Sequence, residues 1–154
     1  MDLPVSKFAI IVNIICILLF AGVAIFLGVT WQDIPAEIPG HYNVRGEIDR
    51  WTGKNELLII PSVSLILFIA ITVIERFPQI WNTGVTVTQE NWPQVYLVIR
   101  NMLAAMKLEM VAIFAFLTIN TALQRALPLW FLPAMLIAVF GSLIYFIARI
   151  ILAR

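Results

Sequence analysis

Side chains that could perform chemistry are concentrated in one polar segment, residues 38–54, of a chain that is otherwise largely apolar. This segment holds the chain's one histidine, His41, and the carboxylates Glu47 and Asp49. Imidazole and carboxylate ligands suit zinc or manganese, so these three side chains are the candidate metal ligands. Their spacing matches no established metal motif, and an arginine lies close to each carboxylate. We therefore predict no cofactor and keep a metal site as an alternative.

Catalysis would require a nucleophile or an activated water beside His41. The chain contains no G-x-S-x-G, no Cys–His pair and no H-E-x-x-H. We accordingly predict no catalytic residue and favour a protein that is not an enzyme. A metal-dependent membrane enzyme that uses His41 is kept as an alternative.

A second pair of ionisable residues, Lys107 and Glu109, lies in an apolar run. Side chains two apart on a helix point about 200° away from each other, so they cannot pair directly. Glu109 shares its face with two alanines, where another helix can come close, and is predicted to point into the bundle. Lys107 is predicted to face lipid with its amine reaching the headgroups. Since ionisable groups in spans often carry ions or protons, a small transporter or ion-coupled subunit using Glu109 is a further alternative.

The composition places these candidates in a membrane protein. The 154 residues are 62% hydrophobic and 12% charged, whereas soluble domains carry about 25% charged residues. The net charge of +1 gives no reason to expect a nucleic-acid partner. A single cysteine excludes an internal disulfide and a cysteine-rich zinc site.

Apolar runs predict an all-α membrane fold, in which four transmembrane helices form a bundle and residues 1–154 form one membrane domain. The first run is too long for the apolar part of a signal peptide and is read as a retained helix. The loop between helices 1 and 2 has more than the usual two to eight residues and contains turn-forming glycines, so we expect it to be structured. The predicted spans are 8–30, 57–75, 95–123 and 126–152, with an outer loop at 31–56 and an inner loop at 76–94.

The distribution of basic residues predicts the orientation of the bundle. More lysines and arginines fall on the side of the termini than on the side of the outer loop. Under the positive-inside rule, this difference places both termini in the cytoplasm. We therefore expect a multi-pass protein of the bacterial cytoplasmic membrane whose loop 31–56 lies outside the cell.

The outer loop and the residues just after it contain a spaced pattern: Pro35, Ile38, Pro39, His41, Asn43, Gly46, Glu47, Asp49, Trp51, Lys54 and Pro61. This pattern resembles the signature of a bacterial membrane domain, domain of unknown function 1648, which occurs in SdpI-type immunity proteins. A second stretch, with Thr88, Glu90, Asn91 and Tyr96, is similar to the Thr-x-Glu-Asn-x-x-x-x-Tyr that follows the second helix in small members of that family. The resemblance implies a polytopic membrane protein related to proteins that neutralise a peptide toxin.

The leading hypothesis is thus an immunity-type binding protein that recognises a peptide toxin or a membrane protein through its outer loop. Membrane lipid is the other expected partner, and self-association is left open. The predicted binding residues are His41, Asn43, Gly46, Glu47, Asp49, Trp51 and Lys54 outside, with an inner polar cluster of Glu90, Asn91 and Tyr96.

Overall fold

The structure is a computed structural model that describes residues 5–154. Within this range, four helices are long and apolar enough to span a membrane, which confirms the predicted fold class. The helices are α1 (Lys7–Thr30), α2 (Ile59–Ile74), α3 (Trp92–Ala122) and α4 (Phe131–Leu152). Strands β1 (Glu37–Tyr42) and β2 (Ile48–Gly53) and a 3₁₀ helix (Lys54–Leu58) lie between α1 and α2, and a 3₁₀ turn (Pro78–Ile80) follows α2.

Helix α3 is the central element, because α1, α2 and α4 all pack against it. Its 31 residues extend about 46 Å, which exceeds the roughly 30 Å of a bilayer's hydrocarbon layer. The hydroxyl of Ser6, just before α1, donates a hydrogen bond to Oδ1 of Asn101 at 2.5 Å. The start of α1 therefore lies level with Asn101, about two and a half turns from the start of α3. The first turns of α3 extend beyond the start of α1 on this side of the bundle.

Small and branched side chains form the contact between α1 and α3. Ala9, Val12 and Cys16 on α1 are buried against Ala104 and Val111 on α3. The outward faces of the helices are apolar as well, and many of their isoleucines and leucines are exposed. Such surfaces suit a lipid environment, where apolar side chains need no cover from protein.

The outer loop forms a β-hairpin. Strands β1 and β2 pair antiparallel with Glu37 opposite Gly53, and the register shifts around Gly40. A Cβ at Gly40 would lie 2.8 Å from Cβ of Thr52, so only glycine allows this close approach. Sequence patterning did not predict strands here, because proline and glycine interrupt β1 and are unfavourable inside strands.

Two helix starts differ from the predicted spans. Helix α3 begins at Trp92, three residues before the predicted start, because Pro93 is well tolerated in the first turn of a helix. Helix α4 begins at Phe131 instead of at residue 126. The α3–α4 connection, residues 123–130, is held in a loop by Gln124, whose φ is +53°, and by the Asn120 amide, which donates to the carbonyl of Arg125 at 2.7 Å.

Candidate functional site: the hairpin and its anchors

The base of the hairpin is held by an apolar cluster at the ends of the helices. Ile34, Ile38 and Leu57 are buried against Val23 and Leu27 of α1. Burial of side chains of this size contributes about 1.5–3 kcal/mol each. The base of the hairpin is therefore a fixed extension of the bundle.

The turn at the other end is organised by Asn43. Its side-chain oxygen accepts hydrogen bonds from the backbone N–H groups of Arg45 and Glu47 at 2.8 and 3.1 Å. Its amide donates to Oε2 of Glu47 at 2.8 Å. Asparagine is favoured at the start of turns because it can accept such local bonds. Asn43 and Glu47, both predicted binding residues, thus stabilise the turn.

The tip of the hairpin docks on the α3–α4 connection through Gly46. The N–H of Leu127 donates to the carbonyl of Gly46 at 2.7 Å. Gly46 has a φ of +78°, and a Cβ there would lie 2.5 Å from the carbonyl oxygen of Leu127. Glycine is required both by the left-handed backbone and by the close approach.

Polar contacts along β1 fasten the hairpin to the end of α3. The hydroxyl of Tyr42 lies 3.1 Å from Oγ1 of Thr121, and Asn120 donates to the same hydroxyl at 3.4 Å. Gln124 donates to the carbonyl of Glu37 at 2.7 Å. The hairpin is therefore held at its base, along β1 and at its tip.

One face of the hairpin carries exposed polar and aromatic side chains. His41 Nδ1 lies 2.6 Å from Oδ1 of Asp49, and the two side chains are 60% and 42% exposed. Trp51, two residues beyond Asp49 and on the same face of β2, is 50% exposed. We call His41, Asp49 and Trp51 the outer hairpin face. Trp51, one of the predicted binding residues, is therefore accessible from solvent.

The structure separates the other predicted outer residues from this face. Lys54 donates a hydrogen bond to the carbonyl of Trp31, and its ammonium lies 4.8 Å from the centre of that ring. Lys54 thus connects the end of β2 to the end of α1. The candidate metal ligands have different partners. Glu47 accepts a hydrogen bond from Asn43, and Asp49 is hydrogen-bonded to His41. Across residues 5–154, no three His, Cys, Asp or Glu side chains are grouped to hold a metal ion.

The predicted inner cluster does not converge on one point. Asn91 accepts from the N–H of Thr88 at 2.8 Å and donates to the carbonyl of Thr86 at 3.1 Å, which closes the turn before α3. Tyr96 stacks on Trp81 with the ring centres 5.8 Å apart. The side chain of Glu90 is exposed. These contacts order the inner loop.

The prediction that Lys107 faces lipid is wrong. Its side chain has 0% exposure, and its ammonium donates to Oδ1 of Asn13 and to Oε2 of Glu75, both at 2.7 Å. It also lies 3.4 Å from Oγ1 of Thr72. The error came from reading apolar neighbours on its helix face as lipid-facing, whereas lipid and the bundle core are equally apolar.

Glu75 was missed as the partner of Lys107. It is 11% exposed, at the end of α2, and within the described chain its Oε1 is buried without a hydrogen-bond partner. A sequence signal was present, because Phe68, Thr72 and Glu75 recur at helical spacing on one face of α2. The ring of Phe68 also faces the ammonium of Lys107 at 5.3 Å. The ion pair joins α2 and α3, and the hydrogen bond from Lys107 to Asn13 adds α1.

Glu109 is half-buried and lies outside this network. It is seven residues before Phe116, which stacks on Phe131 of α4 at 4.6 Å, so the helical repeat places Glu109 on the side of α3 toward α4. None of the residues from 5 to 154 supplies its carboxylate with a hydrogen bond or an ion pair. Glu109 thus differs from Glu75, which has a buried cation as its partner.

Comparison with known proteins adds a family match over one third of the chain. Residues 14–65, from α1 through the hairpin into α2, match the family described as domain of unknown function, DUF1648. An uncharacterized protein of Archaeoglobus fulgidus is 38% identical over 61 residues, which cover 34% of this chain and 33% of that relative. The chain thus spans about a third of the length of that relative. No solved structure matches the chain significantly.

Proposed function

We propose that this multi-pass membrane protein is an immunity-type binding protein that recognises a peptide toxin or another membrane protein through its outer hairpin face. The observation that carries this proposal is a hairpin fixed on three sides that still exposes an aromatic ring beside a His–Asp pair. Tryptophan is enriched among the residues that dominate the energy of protein interfaces. A pre-ordered face also lowers the entropy cost of binding a flexible peptide.

The resemblance of the outer loop to SdpI-type proteins supports a toxin as the partner. Among the predicted binding residues, His41, Asp49 and Trp51 are those that a partner could contact directly. Asn43, Gly46, Glu47 and Lys54 would act by holding the hairpin in position.

The direct test is survival of cells with and without the gene during challenge with a panel of membrane-active peptides and bacteriocins. We expect protection against at least one peptide. Trp51→Ala should remove it, since losing a dominant interface tryptophan weakens binding by about thirtyfold. Val44→Ala is the matched control, because Val44 is exposed at the turn of the hairpin and does not belong to the outer hairpin face. Equal survival across the panel would contradict the proposal, provided that immunoblots show the protein in the membrane.

The proposal also requires the hairpin to lie outside the cell and both termini in the cytoplasm. Cys16, the one native cysteine, is buried, so an introduced cysteine can be labelled selectively. A membrane-impermeant maleimide should label Arg50→Cys, which is exposed on β2, in intact cells and Arg154→Cys only after permeabilisation. The reverse pattern would contradict this orientation.

Ion-coupled transport through Glu109 is the second candidate. It is favoured by the half-buried carboxylate of Glu109, for which the described chain provides no polar partner. Proteoliposomes containing a pH-sensitive dye would report proton movement. Glu109→Gln should abolish the flux and Glu90→Gln, an exposed control, should preserve it. Equal flux in wild type and Glu109→Gln would remove this candidate.

A further inference from the structure

A groove lies between the tip of the hairpin and the beginning of α4. Its volume is about 360 Å³, at the lower end of the range for small-molecule pockets. Most of its surface is apolar. The lining includes Val44, Arg45, Gly46, Leu127, Leu129 and Leu132.

The position of the groove indicates that it opens onto the bilayer. Helix α4 begins at Phe131, and the preceding Trp130 is 60% exposed, as is typical of a ring at a membrane interface. Leu132 lines the groove, and Leu136 and Ile137 continue the same exposed apolar surface along α4. The molecule at highest local concentration beside such a surface is a membrane lipid.

Arg45 supplies a complementary charge for a lipid headgroup. Its side chain is exposed, and among residues 5–154 no carboxylate pairs with its guanidinium. A guanidinium binds phosphate through two parallel hydrogen bonds, which a single lysine cannot reproduce. Arg45 and the apolar lining are therefore adjacent in the groove, as the phosphate and the acyl chains are adjacent in a phospholipid.

We propose that the groove is a binding site for one phospholipid of the leaflet on the hairpin side. The phosphate pairs with Arg45, and an acyl chain lies against Leu129 and Leu132. The site is separate from the outer hairpin face, so it does not depend on the identity of any peptide partner.

Native mass spectrometry of the detergent-solubilised full chain, titrated with phosphatidylglycerol, tests the charged part of the site. We expect one saturable lipid, and weaker binding of diacylglycerol, which has the same chains without phosphate. Arg45→Gln should weaken phosphatidylglycerol binding about tenfold, as expected for a charged hydrogen bond. Arg125→Gln is the matched control, because Arg125 is also exposed near the same end of the bundle but does not line the groove. Absence of a saturable lipid, or equal weakening by both variants, would overturn the proposal.

A second pair of variants tests the apolar part. Leu132→Ser should weaken binding, and Ile147→Ser should not, since these side chains are 40% and 45% exposed but only Leu132 lines the groove, and Ile147 lies near the other end of α4. Equal binding by the two variants would count against the site.

Photo-crosslinking identifies the occupant directly. A benzophenone amino acid at Val44, which is 87% exposed, should form an adduct with phospholipid in membranes. An adduct mainly with a second copy of the chain or with another polypeptide would overturn the assignment to lipid.

Discussion

The two ends of the bundle can be compared through two acid–base pairs, His41–Asp49 and Lys107–Glu75, which have nearly the same length. On the hairpin side, His41 and Asp49 are 2.6 Å apart and largely exposed. On the side of the termini, Lys107 and Glu75 are 2.7 Å apart and almost completely buried. Water can solvate either member of the first pair when its partner is removed. Water cannot solvate a member of the second pair in this way. Removing one partner should therefore cost much more free energy in the buried pair than in the exposed pair, although the two distances are nearly equal.

The largest effect is expected from breaking the buried pair. Lys107→Ala should lower the free energy of unfolding by about 3–5 kcal/mol, because it leaves the Glu75 carboxylate buried without a cation. Denaturant titration in detergent micelles measures the change. Adding Glu75→Gln should recover much of the stability, since the double variant leaves no isolated charge. A Lys107→Ala protein as stable as wild type would remove the contrast between the two pairs.

A smaller loss is expected when the hairpin is detached at its tip. Gly46→Ala should lower the free energy of unfolding by about 2 kcal/mol. Alanine disfavours the left-handed backbone, and its Cβ would clash with the carbonyl of Leu127. Gly53→Ala is the matched control, because no heavy atom lies within 4 Å of a Cβ at Gly53. Unfolding of both variants in the same detergent gives the comparison. If the two variants lost the same free energy of unfolding, docking of the tip would not contribute to stability.

Loss of one hydroxyl should have a milder effect. Tyr42→Phe removes the hydrogen bonds to Thr121 and Asn120 and should lower the free energy of unfolding by about 1 kcal/mol. Hydrogen exchange should become faster at the amides of β1 and remain unchanged in α1. Unchanged exchange in β1 would show that the apolar base alone holds the hairpin.

The smallest effect on stability is expected at the exposed pair. His41→Ala should change the unfolding free energy by at most about 1 kcal/mol, because solvent screens an exposed pair. High salt should reduce even this difference. Binding of the peptide against which the protein protects should nevertheless weaken, since His41 lies on the outer hairpin face. A loss of stability as large as that of Lys107→Ala would contradict the comparison.

The fold was largely predictable from the sequence, because four long apolar runs have few other stable arrangements. The turn-forming glycines, Gly46 among them, correctly indicated an ordered loop. The strands were not predictable, because Pro39 and Gly40 interrupt the pattern of β1 and the alternation is visible only once the bulge is known. The start of α4 was misplaced because the apolar composition of the α3–α4 connection resembles that of a helix.

The candidate sites were harder to predict because their geometry depends on distant partners. Glu75 and Lys107 are 32 residues apart, and helix phase alone did not show that Ala104 and Val111 beside Lys107 belong to the core. His41 and Asp49 were identified together, but as part of a larger metal-ligand set. The exposure of Trp51 depends on which face of the hairpin is anchored, and that follows from residues near the end of α3.

The docking of Gly46 on Leu127 has a consequence for how the protein is made. The hairpin is synthesised between the first two helices, yet its anchors at Asn120, Thr121, Gln124 and Leu127 emerge from the ribosome some 80 residues later. The segment that matches DUF1648 ends at residue 65, before any of these anchors. A nascent chain released after α2 would therefore carry the hairpin without these anchors. The hairpin can therefore acquire all of its anchors only after α3 and the α3–α4 connection have been synthesised.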